Sequence, residues 1–225
     1  MERSAAGENP NPAEEGGGMR GGKAPAIDSS FPHGWRAEIL AGRPPILPAR
    51  HFVYPARVEE VEQGALEVLV RPAPRKDSAF SESPPFLATC ALGFAGPDLP
   101  TGVWACPNPD WMCAVSGGYA YLIDTGEPTR WRQLEFRPVT EIWPVTGHSL
   151  LIFAGFVSLI AWGRNGMQWQ SARLSWDGLR LVSLRGDTLI GLGWDLSADR
   201  EMEFEVDLRT GAHRGGGYLR GGSGN

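Results

Sequence analysis

Cysteine, charge and long apolar runs are all scarce in this chain of 225 residues, and each scarcity removes a class of function. Only Cys90, Cys106 and Cys113 are present, too few and of the wrong parity for a disulfide framework. Cys106 and Cys113 flank Pro107-Asn108-Pro109 at a spacing too wide for a usual zinc knuckle. The three thiols therefore read as small buried hydrophobes, with a disulfide or metal pair as the alternative, and a reducing, cytoplasmic location is expected. Charged residues make up 21% and the formal net charge is −5. The arginines are scattered, and the one close cluster, Arg71, Arg75 and Lys76, falls in a proline-rich turn. The basic stripe of a nucleic-acid binder is missing. Residues 1–30 have no apolar signal region. The uncharged stretch Ile142–Gly163 contains an apolar run, Leu150–Trp162, of 13 residues, short of the roughly 20 a membrane-spanning helix needs. It reads instead as two buried strands joined at Ala154-Gly155, so no membrane partner is expected.

The sequence also lacks the spacings that carry chemistry. There is no Gly-x-Ser-x-Gly elbow and no phosphate loop, and His33, His51, His148 and His213 form no metal-type pair. Gly16-Gly17-Gly18-Met19-Arg20-Gly21-Gly22 neither follows a strand nor opens a helix, so it reads as a flexible tract.

What is abundant is glycine (30), proline (19) and tryptophan (9), the profile of many short strands joined by turns. Three stretches resemble one another at a spacing of about 38 residues. Val115–Gly126 leads to Trp131, Ile152–Gly163 leads to Trp169, and Ile190–Trp194 leads to Phe204–Gly211. Gly118, Gly155 and Gly193 align, each followed by an aromatic. A fixed period of this size is the mark of one supersecondary unit used repeatedly. Asn165-Gly166 and Asp177-Gly178 are primed-turn dipeptides, and Leu179–Leu184 alternates as a half-buried strand does.

The layout that follows is a disordered tail over 1–30, a β-repeat domain over 31–214 and a Gly-rich tail over 215–225. Within the domain, 31–110 is an irregular lead-in and 111–214 holds the three detectable units. The lead-in is expected to contain a hairpin across Arg57–Val70, turning at Glu62-Gln63-Gly64.

Tyr121-Leu122-Ile123-Asp124-Thr125-Gly126 leading to Trp131, Leu159–Trp169 and Phe204–His213 resemble the blade repeats of quinoprotein-like (PQQ-type) β-propellers, over about residues 111–213. The resemblance implies an all-β fold of repeated antiparallel units, a small or incomplete propeller. An open stack of sheets and a β-sandwich are the alternatives. The acids, calcium ligands and paired cysteines of quinoprotein dehydrogenases have no counterpart in this chain. The resemblance therefore implies fold and not quinone chemistry, and no cofactor or metal is expected.

Asp124, Asp177, Asp187, Asp195 and Asp207 occupy turn positions, where aspartate ordinarily caps its own turn. Trp131 and Trp169 recur where units should touch, whereas Trp143, Trp176 and Trp194 are expected to be more exposed. These readings favour a soluble, non-catalytic protein-binding or scaffold module, with Trp143, Trp176, Trp194, Asp124, Asp177, Asp195 and His148 as candidate binding residues. Two alternatives stand beside it. One is a hydrolase or lyase using turn aspartates and His148 in a central pocket, and the other is a small-molecule or carbohydrate binder using exposed tryptophan.

Overall fold

The computed structural model describes residues 25–56, 61–74, 83–94, 96 and 98–218. The chain opens with β1 (Ala26–Asp28), which joins the second of four sheets. Sheet 1 contains β2 (Arg36–Leu40), β3 (His51–Tyr54), β4 (Ala65–Arg71) and β5 (Phe86–Ala91), ordered β2-β4-β5-β3 with β3 parallel to β5. Sheet 2 contains β6 (Gly102–Ala105), β7 (Trp111–Ser116), β8 (Tyr119–Asp124) and β9 (Trp131–Gln133) as a meander, with β1 added parallel to β6. Sheet 3 is the meander β10 (Glu141–Val145), β11 (Leu150–Ala154), β12 (Leu159–Gly163) and β13 (Gly166–Gln170). Sheet 4 is the meander β14 (Leu179–Arg185), β15 (Thr188–Asp195), β16 (Arg200–Asp207) and β17 (His213–Gly215). The fold is all-β among the described residues, and no sheet closes on itself. No helix among them is long and apolar enough to cross a membrane.

The sheets pack face to face because their strands are apolar on one or both sides. Strands β11 and β12, Leu-Leu-Ile-Phe-Ala and Leu-Ile-Ala-Trp-Gly, are buried along their whole length. Successive side chains of a strand point to opposite faces, and β11 uses both. Leu151 and Phe153 join a core shared with sheets 1 and 2. Leu150, Ile152 and Ala154 join a second core with Leu189, Phe204 and Val206 of sheet 4. Sheet 3 is therefore an inner layer, which explains the uncharged stretch Ile142–Gly163 without a membrane.

Specific polar contacts fix the layers. Tyr121 donates to the Ala91 carbonyl at 3.0 Å and Tyr54 to the Pro128 carbonyl at 2.9 Å, tying sheet 2 to sheet 1. Trp131 packs edge-on against Tyr54 with centroids 5.3 Å apart. Trp169 Nε1 donates to the Leu208 carbonyl at 2.7 Å, tying sheet 3 to sheet 4. Both tryptophans thus sit where sheets touch. The outer face of sheet 4 carries Leu192 and Trp194 on its central strand, bridged by Arg180 and Glu201 through two hydrogen bonds of 3.0 and 2.9 Å. Such a charged cover lets a terminal layer face water.

The structure corrects the sequence reading at four places. Ala26–Asp28, assigned to the tail, forms β1 through parallel pairing with β6. At the other end, residues 215–218 of the expected C-terminal tail are ordered against the fold, with Gly217 donating to the Leu174 carbonyl at 2.8 Å. The lead-in hairpin does not form as expected. Residues 57–60 lie outside the described residues, Val61–Gln63 is a turn, and β4 pairs with β2 and β5. Long-range pairing with two strands gives β4 a ladder on both sides, which a local hairpin would not.

The aligned glycines also diverge. Gly118 and Gly155 lie between the second and third strands of sheets 2 and 3, whereas Gly193 lies inside β15, paired with Leu179 and Met202. In sheet 4 the corresponding turn falls at residues 196–199, where Asp199 takes a positive φ of 51°. Gly155 lies beneath a closely approaching ring. A Cβ there would sit 2.4 Å from the Phe136 ring, in the segment linking sheets 2 and 3.

Candidate functional site

The turn aspartates are occupied by their own turns. Asp124 Oδ1 accepts from the Gly126 and Glu127 amides, each at 3.0 Å. Asp195 Oδ1 accepts from the Ser197 and Ala198 amides at 2.8 and 3.1 Å. Asp207 Oδ1 accepts from the Arg209 and Thr210 amides at 3.0 and 2.9 Å. The Ser197 hydroxyl, followed by the Ala198 amide, holds the Asp195 carboxyl below its usual range, and the Thr210 hydroxyl does the same for Asp207. Asp195 faces Arg200 at one end of β16 and Asp207 faces Thr188 at the other, so these two carboxylates mark opposite ends of sheet 4. Among the described residues no group of three or more metal-ligating side chains comes together.

His148 ends a single 3-10 turn, Thr146–His148. Its Nε2 lies 2.8 Å from Asp187 Oδ1, and Arg209 pairs with Asp187 Oδ2 at 2.7 Å. Asp187 is held below its usual range first by the His148 hydrogen bond and then by Arg209. The trio clips sheet 3 to two turns of sheet 4. Among the described residues no hydroxyl or thiol is bonded to His148, and its recorded partner is the Asp187 carboxylate.

Trp176 is 39% exposed and packs on Tyr218 at 4.9 Å, with Arg173 over both rings. Its amide donates to the Trp194 carbonyl at 3.0 Å, which brings these two positions together. Trp143 is elsewhere, half-buried against the core of sheets 3 and 4. Asp177 is an exposed turn residue between Trp176 and β14.

A second polar cluster was not foreseen from the sequence. On the outer face of sheet 1, Thr89 donates to Glu67 at 2.5 Å and His51 Nε2 lies 2.8 Å from the Thr89 hydroxyl. The single hydroxyl proton goes to the carboxylate, so His51 is the donor to Thr89. Arg43 reaches Glu67 at 3.4 Å. Thr89 is wholly buried and the hydroxyl sits between the acid and the imidazole. In that order the carboxylate does not orient the histidine, and the cluster is a satisfied ladder.

The concave feature that combines exposure, aromatic walls and uncommitted charge is a cleft between sheets 2 and 3. Its narrow end, about 280 Å³, is lined by Asn108, Trp111, Arg130, Arg132, Trp162 and Arg164. Its wide end, about 650 Å³, shares Arg132 and Trp162 and continues along Gln133, Phe136, Ile160 and Met167. The volumes fall in the range of ligand sites. Local structure positions each wall. Arg132 and Gln133 sit on β9, an edge strand of sheet 2, and Met167 on β13, an edge strand of sheet 3. Arg164 occupies the tight turn Gly163–Gly166, held by Asn108, which donates to the Arg164 carbonyl at 3.3 Å.

The three arginines differ. Arg130 is committed to Asp124 at 3.1 Å and lies over the Trp111 ring at 5.9 Å. Among the described residues the Arg132 and Arg164 guanidinium groups have no ion pair or hydrogen bond, and both residues are exposed. Gln133 Nε2 is buried without a partner. None of these residues stood out in the sequence. The available signal was Arg130-Trp131-Arg132 followed, about one period later, by Arg164 in a turn beside Trp162.

Comparison with family models, with curated proteins and with solved structures finds no match.

Proposed function

We propose that the chain is a non-catalytic binding module that receives a protein partner in the cleft between sheets 2 and 3. The observation that carries this reading is the cleft itself, with two uncommitted guanidinium groups at one end and the exposed Met167 beside half-buried Phe136 at the other. Two edge strands border it, and strand edges offer free backbone donors and acceptors to an added segment. The self-capping aspartates, and a His148 bonded among the described residues to no hydroxyl or thiol, weigh against the hydrolase reading. The wall of Trp162 and Trp111 is flanked by arginine, which favours a charged partner over a neutral sugar.

The architecture behind this module is, in our reading, propeller-like. Sheets 2, 3 and 4 each contain a four-stranded meander. The turn from third to fourth strand falls at Asp124, at Gly163 and at Asp207, matching the quinoprotein-like motif in two of the three. The three free, buried thiols support a cytoplasmic location.

The experiment is selection from a displayed random peptide library on the immobilised protein, followed by affinity measurement on a variant with an obstructed cleft. Met167→Asp combined with Gln170→Asp alters two exposed positions of β13 and leaves the core untouched. Selected peptides should bind this variant at least about 10-fold more weakly, or about 1.4 kcal/mol. Equal binding to both proteins would place the partner elsewhere and overturn the reading.

A further inference from the structure

We propose that the cleft takes an extended peptide bearing an acidic side chain two residues from an apolar one. The carboxylate would sit against Arg132 and Arg164, and the apolar group would lie in the wide end. This rests on the cleft being the binding site and goes beyond it by naming the chemistry of the ligand.

Two observations carry the argument. First, the protein is acidic overall, at −5, yet the narrow end presents three arginines. One of them, Arg130, is neutralised by Asp124, which leaves two guanidinium groups unanswered. Guanidinium matches a carboxylate through two parallel hydrogen bonds, a geometry that lysine does not reproduce. Second, the positive end gives way to an apolar one. Phe136, Ile160 and Met167 line the wide end, with Met167 56% exposed, and the Glu135 carboxylate there turns a ligand's acid toward the arginine end. Single-stranded nucleic acid needs a basic track along its backbone, and the wide end, which carries Glu135, continues none. A peptide can alternate an acid and an apolar side chain to suit both ends.

The edge strands give the direction of the bound segment. An extended chain alongside β13 sends alternate side chains to one face. Residues two apart in the ligand would therefore reach the same wall, so an acid and an apolar residue at spacing two fit better than adjacent ones.

The test uses the full chain and an array of acetylated, amidated heptapeptides in which one Glu and one Leu occupy every pair of positions, with matched Gln-for-Glu arrays. Oligothymidylate of 15 bases serves as the polyanion probe. Arg132→Gln, Arg164→Gln and the double variant are compared, with Met167→Ala at the wide end. The structure leads us to expect selection of Glu-x-Leu or Leu-x-Glu spacing and at least about 10-fold loss when Glu becomes Gln. A comparable loss should follow in the double arginine variant, with thermal stability unchanged because both arginines are exposed. Peptides selected without any acidic preference, or undiminished by the double variant, would overturn the ligand assignment while leaving the cleft as the site. Binding of oligothymidylate in place of peptide, with a steep salt dependence, would overturn it in favour of a polyanion. Absence of peptide binding that responds to Met167→Ala or to either arginine would overturn both the assignment and the cleft.

Discussion

Leu151 and Ile152 are neighbours in sequence and belong to different cores, and this can be tested with two of the smallest substitutions available. Both are completely buried. Leu151 packs with the core of sheets 1 and 2, Ile152 with that of sheets 3 and 4. Leu151→Val and Ile152→Val each delete one methylene. The transfer loss is about 0.8 kcal/mol per group, and the residual cavity brings each substitution to about 1 kcal/mol. For a domain of this size that lowers the melting temperature by roughly 2–4 °C each. Because the side chains project to opposite faces and share no packing partners, the double variant should lose about 2 kcal/mol, with a coupling energy under about 0.5 kcal/mol. Urea denaturation followed by tryptophan fluorescence reads both quantities, and the midpoint should move at constant slope. A coupling well above that bound would mean that the two residues share one cavity and that sheet 3 is not an inner layer. A silent Ile152→Val would mean that sheet 4 does not cover its face.

Three further outcomes follow from the packing and the charges. A Cβ at Gly191 would lie 2.2 Å from the Phe204 ring and 2.7 Å from the Arg180 carbonyl, so Gly191→Ala should destabilise by about 1–3 kcal/mol. Gly42→Ala, where nothing lies within 4 Å, should stay within about 0.5 kcal/mol by the same denaturation assay. Asp187, Asp195 and Asp207 all have carboxyl groups held below the usual range. The unfolded chain then binds more protons than the folded one as pH falls below about 4. Stability contributed by these groups is therefore present above that pH and lost as pH falls through the folded values. Asp195→Asn with Asp207→Asn should flatten the acid limb of a stability–pH profile, and an unchanged limb would show that other groups set it. Burial pushes all three thiols well above their ordinary range. The native protein should therefore resist Ellman's reagent and release three equivalents only on unfolding. A fast native equivalent would mean that one cysteine is reachable.

Local signals carried the fold wherever pairing is local. The Gly163–Gly166 turn, the alternation of Leu179–Leu184 and the strand ends at Asp124 and Asp207 were all visible in sequence, because each reports its own backbone. Sheet 1 was not visible. Its β3 pairs in parallel with β5, and β2 reaches β4 across 24 intervening residues, so no short window contains the pattern. Gly193 was misplaced for a different reason. Gly-aromatic pairs recur inside β15, as Gly193-Trp194, and the true turn in sheet 4 carries Asp199 instead of glycine. Asp199 tolerates the left-handed conformation well enough to hide the position.

The cleft escaped the sequence because its walls come from two different sheets and no short window contains them. After Gln133 the chain leaves the sheet and crosses to β10, with Val139 donating to the Gly118 carbonyl at 2.8 Å and Phe136 closing over Gly155. That crossing leaves a wedge with Arg132 and Gln133 on one side and Trp162 and Met167 on the other. Asp124, Asp195 and Asp207 are spent on their own turns, whereas the Arg132 and Arg164 guanidinium groups stand in this wedge without an ion pair among the described residues. Exposed guanidinium groups without a partner beside a strand edge are what an incoming segment would use, which is why we propose the cleft, and not the Trp176 and Trp194 surface, as the binding site.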